Sequence, residues 1–96
     1  NQYVDVAIAE QTGVSTMAGA ARGGAKVIYS VMATFLQRAY DQLEQDWAMD
    51  NSPAVMPVMG TGIRALTDLT HLGFWDIPMI TKSFTLPRRM LKNTSP

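Results

Sequence analysis

Between Val6 and Tyr40 the chain carries a single carboxylate, Glu10, at the point where a short apolar run hands over to a helical pattern. Ligands of open α/β sheets bind at such carboxyl ends of strands, so an acid placed there can meet a bound molecule. The plainer role for Glu10 is to complement the positive end of the helix that it opens. His71 is the only histidine, a group able to exchange protons near neutral pH, or simply a turn or core residue. The stretch Gly60-Thr61-Gly62-Ile63-Arg64-Ala65 fits G-x-G-x-x-A, a loop type that cradles phosphates when a helix follows. It follows a third apolar run rather than the first and has no acid at the right distance beyond it, which weakens that reading.

The elements that must position these residues can be read from periodicity. In Tyr3 to Ile8 the residues Tyr3, Val4, Val6 and Ile8 are aromatic or β-branched, one acid, Asp5, interrupts them, and the run is too short for a helix, which predicts a first strand. From Glu10 to Ala21 the apolar positions Val14, Met17, Ala18 and Ala21 recur at helical spacing until Gly23-Gly24 stops them. Gly13, Ala18, Gly19, Ala20 and Ala21 form a small-residue face that lets a backbone or a flat ring approach closely. Lys26 to Val31 predicts a second strand. Thr34 is expected to cap a longer helix to about Met49, with Phe35, Leu36, Ala39, Tyr40, Leu43 and Trp47 on its apolar stripe and Gln37, Asp41, Glu44 and Gln45 facing away. Asp50-Asn51-Ser52-Pro53 ends it, and Ala54 to Val58 predicts a third strand, near an edge or strand end because Pro57 has no ladder donor.

Strand, helix, strand, helix, strand at these spacings predicts an α/β fold, a parallel sheet flanked by helices. Residues 81–96 show no period and carry only positive charge, and are expected to be a basic tail, loop or disordered. Four of the eight bases (Lys82, Arg88, Arg89, Lys92) lie there, whereas all eight acids lie at or before Asp76. Four charges without interleaved aromatic platforms do not make a nucleic-acid surface. No apolar run approaches the ~20 residues of a membrane span, mean hydropathy is near zero and cysteine is absent. The expectation is a soluble, cytoplasmic chain with no nucleic-acid or membrane partner.

Three segments carry a family resemblance. Asp5-Val6-Ala7-Ile8-Ala9-Glu10-Gln11 resembles the DVxIAEQ segment of 1-deoxy-D-xylulose-5-phosphate synthases. Thr34-Phe35-Leu36-Gln37-Arg38-Ala39-Tyr40-Asp41-Gln42 resembles their TFLQRAYDQ, and Thr70-His71 with Gly73 their THxG turn. The segments keep the family's order from about Tyr3 to Ile80, so residues 1–80 resemble the core of the pyrimidine-binding domain of transketolase-type thiamine diphosphate enzymes.

The resemblance implies a role for each residue. Glu10 would donate a hydrogen bond to a ring nitrogen of the cofactor's aminopyrimidine, favouring the imino tautomer that removes the thiazolium proton. A carboxyl among apolar neighbours shares a proton with a weak ring base as a solvated one could not. Phe35 would stack on the aminopyrimidine, although its place on the apolar stripe also suits an ordinary core phenylalanine. Arg38 would sit on the substrate side near a phosphate, and His71 near the carbonyl or hydroxyls of a sugar phosphate or keto acid. Glu10 and His71 would thus be catalytic. Thiamine diphosphate also needs Mg²⁺ and a diphosphate site, which the family builds with a GDG…N motif on a separate domain. No such motif occurs here, so a partner domain or chain would supply it, and a dimer is implied.

Several positions depart from the family pattern. Its histidine after AEQ is Thr12 and its tyrosine before the TFLQ segment is Met32. Its DRAG reads Met59-Gly60-Thr61-Gly62, and its aspartate four residues before the histidine is Thr67, with Asp68 one position away. The cofactor-facing residues match better than the substrate-facing ones. The resemblance thus implies a ketol- or aldehyde-transferring half-enzyme, inactive alone; the alternatives are a non-catalytic remnant or assembly domain, or a dinucleotide-binding module. The chain is also expected to be a fragment of a longer domain.

Overall fold

The computed structural model describes residues 2–63 and 65–93. Helix α1 spans Glu10–Arg22 and buries Val14, Met17, Ala18 and Ala21, the face expected from their spacing. It ends at the paired glycines: Gly24 adopts φ 96°, its N–H donates to the Ala21 carbonyl and the Ala25 N–H to the Ala20 carbonyl. That pair of bonds satisfies carbonyls that have no partner inside the helix.

Residues 27–32 then run parallel to residues 55–59. Val55 N–H donates to Val27 O, Tyr29 N–H to Val55 O and Val31 N–H to Pro57 O. The ladder's regular part is β1 (Val31–Met32) beside β2 (Val58–Met59). Pro57, which has no donor, accepts through its carbonyl, so a proline is tolerated on this strand. The α/β expectation holds for these two strands.

Tyr3 to Ile8 is not a strand. Asp5 Oδ1 accepts the Ala7 N–H at 2.8 Å and Ala7 takes φ 55°, a local turn that breaks the extended backbone a ladder needs. Tyr3, Val4 and Ile8 are left exposed. The predicted three-stranded sheet is therefore a two-stranded one among the described residues.

The long helical run starts two residues earlier than expected and changes winding along its length. It comprises α2 (Ala33–Leu36), a 3₁₀ turn Gln37–Ala39, α3 (Tyr40–Gln42) and a π-helical segment Leu43–Met49. Met32 takes the cap position and no side chain caps the start, so Thr34 does not cap. Leu36, Ala39 and Leu43 are buried, and Phe35 and Trp47 pack partly buried against the same core. Tyr40, expected on that stripe, is 47% exposed, because the tightened turn before it rotates it outward. Arg22 donates to the Asp50 carbonyl and Ser52 Oγ to the Ala18 carbonyl, tying the end of this run to the C-terminal half of α1.

The largest departure is the C-terminal segment. Helix α4 spans Asp76–Asn93, so the expected loop at 81–96 is helical as far as Asn93, and residues 94–96 lie outside the described residues. Its Met79 and Ile80 pack on the core, Ser83 is 2% exposed, and the Phe84 ring meets Trp47 edge-on at 4.4 Å. Pro78 falls in its first turn, where the missing N–H costs no internal bond. Among the described residues no helix is long and apolar enough to cross a membrane.

Candidate functional site

Glu10 is the first residue of α1 and is 8% exposed. No side chain caps the helix, so the free N–H groups and the dipole of its first turn lie beside the carboxylate. Its partner comes from 28 residues further on: Arg38 Nη1 donates to Glu10 Oε2 at 3.3 Å. The Arg38 side chain is half exposed, so the pair sits at the boundary with solvent. The resemblance implies a substrate-side place near a phosphate for Arg38; in this structure its guanidinium rests on the acid.

A third group reaches the same place. The Tyr29 ring lies over Gly13, so close that a Cβ on Gly13 would fall 2.5 Å from the ring's Cζ and Oη. The small-residue face does admit a flat ring, and the ring belongs to the chain itself. Burial, and then the negative charge of Glu10, push the Tyr29 phenol above its usual value of 10.0. Tyr29 escaped the sequence reading because an aromatic in a strand signals only a strand; Gly13, three residues beyond Glu10, was the available hint.

Phe35 and Arg38 are three apart on the helical run and carry the arrangement to the other end of the chain. The Phe35 ring meets the His71 imidazole at 5.5 Å and 89°, an edge-to-face pair. His71 sits in a turn held by Asp68, whose Oδ1 accepts the backbone N–H of His71 at 3.0 Å and of Thr70 at 3.3 Å. Thr70 Oγ1 lies 2.7 Å from His71 Nδ1. Residues 35–38 therefore join the glutamate of α1 to the lone histidine, through Arg38 on one side and Phe35 on the other.

The glycine loop behaves differently from a phosphate cradle. Gly60 and Gly62 have φ 71° and 87°, and Gly62 exchanges backbone hydrogen bonds with Gly73, closing the segment into a hairpin-like loop. Among the described residues no helix opens until Asp76, so the helix N-terminus that a dinucleotide's phosphates require does not follow Gly62. Arg64 lies outside the described residues. Among those described no cluster of three metal-ligating side chains occurs.

Residues 1–82 match the family model described as transketolase, pyrimidine binding domain. The chain belongs to that family. It is 44% identical over 79 residues to the 1-deoxy-D-xylulose-5-phosphate synthase of Pseudoalteromonas atlantica, covering 82% of this chain and 13% of that protein. It is 47% identical over 76 residues to the synthase of Haemophilus influenzae, covering 79% of this chain and 12% of the relative. This member of the pyrimidine-binding family thus spans only about an eighth of the curated relatives it matches. Glu10, Phe35, Arg38 and His71 all fall inside the matched range.

Proposed function

We propose that this chain is the pyrimidine-binding part of a thiamine diphosphate-dependent enzyme that transfers ketol or aldehyde groups, similar to 1-deoxy-D-xylulose-5-phosphate synthase. The observation that carries the reading is the buried carboxyl of Glu10 at the start of α1, linked by the 35–38 segment to a half-buried aromatic ring and the lone histidine. An aminopyrimidine is planar and edged with hydrogen-bonding nitrogens. A shielded acid and an aromatic face suit both features. The cofactor would supply a carbon nucleophile for the substrate carbonyl.

In this reading Glu10 holds a proton against a ring nitrogen, which requires Arg38 to relinquish Oε2 or to share it. Arg38, half exposed, is free to turn towards an anionic group such as the phosphate of a sugar phosphate. Phe35 stacks on the ring, and His71 contacts the carbonyl or hydroxyls of a sugar phosphate or keto acid. The diphosphate and Mg²⁺ would be held by a partner domain or chain carrying a GDG…N motif, in a dimeric, cytoplasmic enzyme. Alone, the chain would bind weakly and turn nothing over.

The test is reconstitution. This chain would be combined with a transketolase-type diphosphate-binding half, and thiamine diphosphate-dependent condensation of a keto acid with an aldose phosphate measured. Glu10→Gln keeps size and polarity but removes the acid, and should lower turnover by ~10²–10⁴ while changing cofactor affinity far less. Full activity in that variant would remove the central residue from the reading.

A further inference from the structure

Resting on the reading of His71 just given, we propose that Asp68 and Thr70 fix its tautomer, holding the ring proton on Nδ1 and presenting the Nε2 lone pair to the bound molecule. Two oxygens crowd the same nitrogen: Thr70 Oγ1 at 2.7 Å and Asp68 Oδ1 at 3.6 Å from His71 Nδ1. A carboxylate oxygen only accepts, so it attracts a proton on Nδ1 and repels a lone pair there. The threonine hydroxyl can accept or donate; with the carboxylate favouring a proton on Nδ1, it accepts that N–H at 2.7 Å, a hydrogen bond that a valine in its place could not supply. The carboxylate is itself immobilised, because the same Oδ1 accepts the backbone N–H groups of Thr70 and His71. Phe35, edge-on at 5.5 Å, limits rotation of the imidazole from the other side.

The consequence is chemical. A neutral His71 with its proton on Nδ1 can accept a hydrogen bond, or a proton, through Nε2, but cannot donate from that atom. It therefore suits a hydroxyl of the substrate rather than its carbonyl. Asp68 and Thr70 are positioning residues in this scheme, acting through His71. The offset of Asp68 by one position from the family's aspartate matters little, since its work is done on the turn and on Nδ1.

His71 is the only histidine, so nitrogen NMR of the ¹⁵N-histidine-labelled chain assigns both ring nitrogens directly. With the ring neutral, Nδ1 should appear as the protonated nitrogen and Nε2 as the bare one. Asp68→Asn and Thr70→Val should each shift the ring towards the opposite tautomer, whereas Thr70→Ser, which keeps the hydroxyl, should not. A protonated Nε2 in the unaltered chain overturns the proposal, whether or not the variants fold, and so does an unchanged tautomer in folded Asp68→Asn and Thr70→Val. The functional reading fails separately. A protonated Nδ1 combined with an unaltered kcat/KM in reconstituted His71→Gln leaves the anchoring intact and removes His71 from catalysis.

Discussion

Arg38 Nη1 lies 3.3 Å from Glu10 Oε2, so the acid that opens the first helix is balanced by a cation from the second helical layer. The two partners differ in exposure: the carboxyl is nearly buried and the guanidinium half in solvent, which makes the pair separable from the arginine's side.

Replacing Arg38 with Met should cost about 1 kcal/mol, measured by urea unfolding, since screening at the exposed arginine limits the loss. Glu10→Gln in the Arg38→Met background should cost less than in the native chain. Additive effects of the two substitutions would show that the contact carries no energy.

Tyr29 offers a spectroscopic reporter of the same acid. Its phenol keeps its proton more tightly in the fold than in the unfolded chain, so the associated stability is intact below pH 10.0 and falls as pH rises through the folded value. Ultraviolet titration in a background with Tyr3 and Tyr40 replaced by Phe should place its ionisation above that of a free tyrosine. Glu10→Gln should lower it part of the way, because burial, the larger cause, remains. An unchanged midpoint in that variant would separate Tyr29 from Glu10.

Gly13→Ala sets two effects against each other. Alanine raises helix propensity by ~1 kcal/mol, but its Cβ would fall 2.5 Å from the Tyr29 ring, forcing the ring aside at a cost of about 1–3 kcal/mol. A net loss of stability is expected. With Tyr29→Ser the collision disappears, and the same alanine should stabilise by about 1 kcal/mol. Equal effects in both backgrounds would show that the ring does not rest on Gly13.

Helix α4 belongs to the packed structure, so Phe84→Ala should destabilise by about 1–3 kcal/mol and shift the Trp47 emission, read in a Trp75→Phe background. Deleting residues 81–96 should broaden and lower the unfolding transition. A deletion that leaves the transition untouched would return this segment to the status of a tail.

Which parts were legible depended on how far apart the deciding atoms lie in the chain. The small-residue helix, its glycine stop and the two paired strands are marked by local signals: apolar positions at a helical period, Gly24 in a left-handed conformation, and β-branched runs between turn residues. The motifs around Glu10, Phe35 and His71 were equally plain, because they are contiguous strings. Tertiary structure decided the rest. Tyr3 to Ile8 has strand composition, but a strand needs a neighbour, and Asp5 instead folds its own backbone over at Ala7. Residues 81–93 lack an evident period and contain Pro87, yet Met79, Ile80, Ser83 and Phe84 find a surface on the core, and burial outweighs a weak intrinsic preference. Arg38 on Glu10 and Tyr29 on Gly13 join residues 28 and 16 positions apart. Residue type states what each side chain can do, but only the folded chain chooses its partner, because charge and contact energies act through space rather than along the sequence.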